Sequence, residues 1–141
     1  MSIKFKTSHT IVTAAVAVAV TVIILGAFTR LVDAGLGCPD WPGCYGHVLW
    51  PDSHDEISAA NQAYPDAPVE LDKTWPEMVH RYLATSLGLF TIVIAVLAVR
   101  NRQQGHPVKL PIFLLAFIIL QGMFGTWTVT LKLWPQVVTA H

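Results

Sequence analysis

TWPEMVHRYLATSLGLFTIVIAVLAVR, residues 74–100, decides the fold. Its uncharged part, Tyr82 to Val99, reaches the roughly 18 residues that a helix needs to cross a hydrocarbon core. Two further stretches, Ile11–Phe28 and Leu110–Leu131, are equally free of charge. A soluble helix needs a charged, water-facing side, and none of the three has one. The expectation is an all-α integral membrane protein with transmembrane helices over about 10–30, 75–99 and 110–131. A long loop over about 31–73 and a short link over about 100–109 would join them.

Charge orients these spans. The net charge is zero, yet all nine acidic residues fall between Asp33 and Glu77. Lys4 and Lys6 precede the first span, and Arg100, Arg102 and Lys109 flank the link, so the positive-inside bias puts both segments in the cytoplasm. The acidic loop 31–73 is then extracytoplasmic. The first apolar run is longer than the ~7–15 residues of a signal-peptide core, which favours a retained helix.

Within the loop, Asp52–Tyr64 has an amphipathic pattern, with Asp52 or Ser53 as cap and Asp55 and Glu56 in the first turn. Thr74, Pro76 and Glu77 read as the capped opening of the second span, Glu77 completing a capping box. Pro111 opens the third span, whose Gln121, Gly122, Gly125, Thr126 and Thr128 form a small, polar face suited to close helix contact. After Trp134-Pro135, residues 136–141 read as the first turns of a fourth helix. A sequence that stops there is expected to be part of a longer protein.

His80 lies four residues beyond Pro76, and His141 six beyond Pro135. At about 1.5 Å per residue, their depths below the membrane boundary agree within about 3 Å. Two co-directional helices would present both imidazoles at one level, where haem iron could accept both axial bonds. The alternative is an interfacial His80 bonded to a loop carbonyl and a His141 without function. Glu77 shares a helix face with both His80 and Arg81. A carboxylate one turn from a haem ligand could manage protons, although the capping box would equally account for Glu77. Arg81 is open to two roles: partner of Glu77, or clamp for a haem propionate.

Cys38 and Cys44 stand in a turn-dense segment, GCPDWPGC, where a short disulfide clip, free thiols and a redox-active pair all remain open. His9 and His106 fall at helix ends, and His47 and His54 are loop residues without ligand-spaced companions. No zinc spacing, phosphate-cradling glycine loop, nucleophile elbow or basic stripe for nucleic acid is present.

Several blocks together resemble the amino-terminal half of the haem A synthase family. They are Thr29-Arg30-Leu31 with Gly35-Leu36-Gly37-Cys38-Pro39-Asp40-Trp41-Pro42-Gly43-Cys44, Glu77-Met78-Val79-His80-Arg81-Tyr82, Gln121-Gly122-Met123-Phe124-Gly125-Thr126-Trp127-Thr128-Val129, and Val137-Val138-Thr139-Ala140-His141. The resemblance implies an eight-helix enzyme of the bacterial inner membrane, made of two four-helix bundles, of which residues 1–141 are the first. It implies oxidation of a methyl group of haem O to the formyl group of haem A, a cofactor of terminal oxidases. His80 and His141 would be the axial ligands of the substrate haem, Glu77 the catalytic carboxylate, and Cys38 with Cys44 the family's cysteine pair. A haem b would belong to the second half, so these residues alone are expected to lack turnover. Haem O, membrane lipid, haem O synthase, oxidase assembly proteins and a second copy of the chain are the implied partners. Two rival functions are a bis-histidine haem protein for electron transfer or haem handover, and a structural membrane subunit.

Overall fold

The computed structural model describes residues 2–141, with side chains from residue 9 onward. Lys4 and Lys6, on which the orientation partly leans, therefore lie outside the residues whose side chains are described. Five α-helices follow one another: α1 Ser2–Leu31, α2 His54–Ala63, α3 Leu71–Arg100, α4 Lys109–Thr130 and α5 Pro135–Ala140. Among the described residues there is no strand, only an isolated bridge between Cys44 and His47. His9–Leu31, α3 and α4 are long and apolar enough to span a membrane. The protein is an all-helical, multi-pass membrane protein.

Helix α1 packs along α3, α3 along α4, and α5 against α4. Most of the apolar surface of α1 and α4 stays uncovered, with Ile23 and Phe113 among the most exposed, as befits helices solvated by lipid. The buried core lies in the long loop instead. There Cys38, Cys44, Tyr45 and Ala60 gather on Met78 of α3, with Trp50, Tyr64 and Val69 around them. Tyr45 and Tyr64 meet edge to face at 5.4 Å, and the Tyr45 hydroxyl donates to the Pro68 carbonyl at 3.2 Å. Burial in this cluster, with Glu70 nearby, pushes the Tyr45 phenol above its ordinary pKa.

Helix α2 forms as its sequence predicts. Ser53 is the N-cap, and its hydroxyl accepts from the Glu56 N–H while the Glu56 carboxylate accepts from the Ser53 N–H. The Asp52 and Ser53 N–H groups together hold the Glu56 carboxyl below the usual carboxylate range.

Helix α3 departs from expectation at its start. It begins at Leu71, with Glu70 as a cap whose side chain makes no hydrogen bond to the helix backbone. Thr74 is inside the helix and fully buried, its hydroxyl donating to the Leu71 carbonyl at 3.2 Å, so the expected Thr74–Glu77 capping box does not form. The cause is tertiary. Gly37 lies so close to this first turn that a β-carbon on it would stand 2.3 Å from the Lys73 carbonyl oxygen. Only a residue without a side chain lets the loop dock on the helix backbone at this distance. Glu70 completes the turn by accepting the Lys73 and Thr74 N–H groups at its carbonyl and the Lys73 ammonium at its carboxylate, 2.9 Å away.

The α4–α5 connection is tight. Lys132 and Leu133 both take the left-handed conformation, φ 48° and 58°, and the Leu133 N–H reaches back to the Thr128 carbonyl at 2.7 Å. Pro135 opens α5, where a missing N–H costs nothing. The reversal turns α5 back along α4, bringing Ala140 beside Gln121 and His141 beside Gly125; because α4 itself folds back on α3 after a short link, α5 runs with α3.

Candidate functional site

The imidazoles of His80 on α3 and His141 at the end of α5 come together, their ring centroids 6.3 Å apart and their planes at 78°. Between α3 and α5 there is no backbone packing among the described residues, so the two rings face each other across a gap between helices. An imidazole nitrogen binds a transition metal at about 2.0 Å and lies about 1.1 Å from its ring centroid, so rings on opposite sides of one metal stand about 6 Å apart. The observed spacing fits that arrangement. Crossed planes are compatible with it too, because each ring plane need only contain its own metal–nitrogen axis. His80 Nδ1 is buried without a hydrogen-bond partner, a deficiency that a ligand entering the gap would relieve. Each ring also packs on a glycine, His80 on Gly26 of α1 and His141 on Gly125 of α4.

One turn toward the start of α3, Glu77 is only 4% exposed. Its Oε2 accepts the Cys38 N–H at 3.0 Å, and its Oε1 takes the Arg81 guanidinium in a short ion pair. The second guanidinium arm donates to the carbonyls of Asp40 at 2.9 Å and Gly43 at 2.7 Å, with Pro42 at 3.4 Å. Arg81 therefore ties the 38–44 turn to α3 and also neutralises Glu77 at the junction. A planar fork suits both tasks, since its donors point in fixed and separate directions. Arg81 is thus a partner of Glu77 in this structure.

Cys38 and Cys44 form a disulfide with Cα atoms 4.8 Å apart, and both are fully buried. Inside the bridged turn, the Asp40 carboxylate accepts the N–H groups of Tyr45 at 2.6 Å and Gly46 at 2.8 Å. A β-carbon on Gly43 would stand 2.6 Å from the His47 carbonyl oxygen, a second place where a side chain has no room. His47 faces Glu56 at 3.9 Å. A cavity of about 280 Å³ under the loop, lined by Asp33, Tyr45, Asp66, Glu70, Lys73 and Leu133 among others, shares no residue with the pair.

Sequence reasoning picked out His80, His141, Glu77, Arg81 and the cysteines, but missed Gly26 and Gly37. For Gly37 the dense glycine content of GLGCPDWPGC was a usable signal. For Gly26 there was none, because a lone glycine in an apolar span has many ordinary explanations.

Residues 9–141 match the family model described as COX15-CtaA, cytochrome oxidase assembly protein. A heme A synthase of Shewanella oneidensis is 51% identical over 120 residues, which cover 85% of this chain and 36% of that protein. The heme A synthase COX15 of Saccharomyces cerevisiae is 29% identical over 121 residues, 77% of this chain and 25% of the yeast protein. A heme A synthase of Sinorhizobium fredii is 31% identical over 122 residues, 77% of this chain and 33% of that protein. No solved structure matches the chain. The chain thus spans a quarter to about a third of the length of these curated relatives. With its spans, its paired imidazoles and a family match running from the first membrane helix to His141, the chain belongs to the COX15-CtaA family of cytochrome oxidase assembly proteins.

Proposed function

We propose that this chain supplies the substrate-haem half of a haem A synthase, an oxidoreductase that converts a methyl group of haem O to the formyl group of haem A. The observation that carries the proposal is the His80–His141 pair, two imidazoles from co-directional helices separated by the spacing that one metal would need. In this reading His80 and His141 would hold the porphyrin through its iron. The iron porphyrin would be the substrate: with water as oxygen donor, taking its methyl to a formyl group releases four protons and four electrons, the electrons passing to an external electron carrier. Glu77 acts one turn away, accepting protons released as the methyl group is oxidised, and Arg81 with the Cys38 N–H keeps its carboxylate from rotating. The disulfide turn is the rigid wall against which that carboxylate is set.

The same reading makes residues 1–141 the amino-terminal four-helix half of an eight-helix enzyme in the bacterial inner membrane, with its N-terminus cytoplasmic and loop 31–73 extracytoplasmic. A haem b in the other half, haem O synthase as donor and oxidase assembly proteins as recipients belong to this proposal. Alone, the 141-residue chain is expected to make no haem A.

The test is product analysis. In the full-length gene product supplied with haem O, His80→Ala and His141→Ala are each expected to reduce haem A, resolved by HPLC, to background. Haem A made at the unsubstituted rate by either variant would remove that histidine from substrate binding.

A further inference from the structure

The two imidazoles rest on matching seats. A β-carbon on Gly26 would lie 2.8 Å from His80 Cε1, and one on Gly125 would lie 3.2 Å from His141 Cε1. In both cases the ring points this vertex at the glycine, with its two nitrogens directed to either side. On the helix that provides each glycine, one backbone carbonyl lies within interaction range of the ring without making a regular hydrogen bond to it, Val22 for His80 and Gln121 for His141. Val22 and Gly26 are four apart, and so are Gln121 and Gly125.

That shared spacing has a physical meaning. In a helix the carbonyl of residue i accepts from the N–H of residue i+4, and its second lone pair is usually shielded by the i+4 side chain, which covers the turn before it. A glycine at i+4 removes the shield. It opens a hollow for the ring and at the same time exposes a carbonyl to the nitrogen on the ring's far side. A histidine that binds a metal ordinarily donates its other N–H to such an acceptor, which fixes tautomer and orientation. The two seats stand on different helices, α1 and α4, and hold the rings crossed at 78°. By contrast, a β-carbon on Gly88 or Gly122 would meet nothing within 4 Å.

We infer that Gly26 and Gly125 are positioning residues of the haem site, each setting the plane of one imidazole through a glycine hollow and the carbonyl one turn before it. The inference rests on the proposed function, because it assumes that His80 and His141 bind haem iron. Seats of this kind matter because the angle between axial imidazole planes governs the anisotropy of the low-spin ferric spectrum.

The experiment is electron paramagnetic resonance of the ferric full-length protein, purified with its haem, for Gly26→Ala, Gly125→Ala, Gly122→Ala and His80→Ala. Gly26→Ala is expected to lose most of the low-spin signal of this site, since its contact is the tighter and the ring must leave its place. Gly125→Ala should keep the signal with displaced g-values, and Gly122→Ala should match the parent. A stability defect alone would lower the amount of protein without moving the g-values. Should Gly26→Ala fail to accumulate, Gly125→Ala decides the matter. Parental spectra in both seat variants, with the signal absent in His80→Ala, would overturn the seats and leave haem ligation standing. A signal untouched by His80→Ala would overturn the ligation and the seats with it.

Discussion

Arg81→Ala is expected to cost about 3–5 kcal/mol, because it strips a buried carboxylate of its counter-charge. Glu77 is 4% exposed, and the backbone N–H groups that remain to it, foremost that of Cys38, cannot offset a full negative charge in an apolar junction. The same substitution releases the carbonyls of Asp40 and Gly43, so the 38–44 turn loses its tie to α3 while keeping its disulfide. Thermal unfolding in detergent measures the loss, and limited proteolysis around residues 39–43 reports the freed turn. A double variant, Glu77→Gln with Arg81→Met, should recover part of the cost, since removing both charges removes the uncompensated one. Arg81→Ala protein as stable as its parent would show that water reaches Glu77 and that the pair is not a buried one.

Glu77→Gln separates chemistry from structure. Glutamine keeps the length of the side chain and an oxygen that can accept from Cys38 or Arg81, but it does not take up protons near neutral pH. If Glu77 manages the protons of methyl oxidation, haem A formation by the full-length protein should fall by about 10²–10⁴-fold with haem still bound. HPLC of extracted haems gives the first quantity and the absorption spectrum the second. An unchanged rate would reduce Glu77 to a brace for the turn. Glu77→Ala is less informative, since it would leave the Arg81 guanidinium unpaired and confuse lost chemistry with lost structure.

The spans were legible because crossing a bilayer imposes a length and an absence of charge that Ile11–Phe28, Tyr82–Val99 and Leu110–Leu131 display without tertiary help. The meeting of His80 and His141 was legible for a related reason. Both are counted from a Trp-Pro step at the same boundary, and helical rise converts residue number into depth. Glu77 was misread in its local role because Thr-x-x-Glu before an apolar run fits a capping box whether or not the helix starts there. Where it starts was decided by Gly37 pressing on the Lys73 backbone, a contact between residues 36 apart in sequence. Arg81 likewise finds Asp40 and Gly43 only after the loop has folded back. Glycine seats escape sequence reading altogether, since Gly26 and Gly88 look alike in an apolar run and differ only in what stands opposite.

The most direct measurement is near-infrared magnetic circular dichroism of the ferric full-length protein loaded with haem O, recorded as the difference between the parent and its His80→Ala and His141→Ala variants. Paired imidazoles on one iron predict a bis-nitrogen low-spin charge-transfer band that both substitutions remove. The same band persisting in either variant would mean that the two rings, close as they are, do not share a metal.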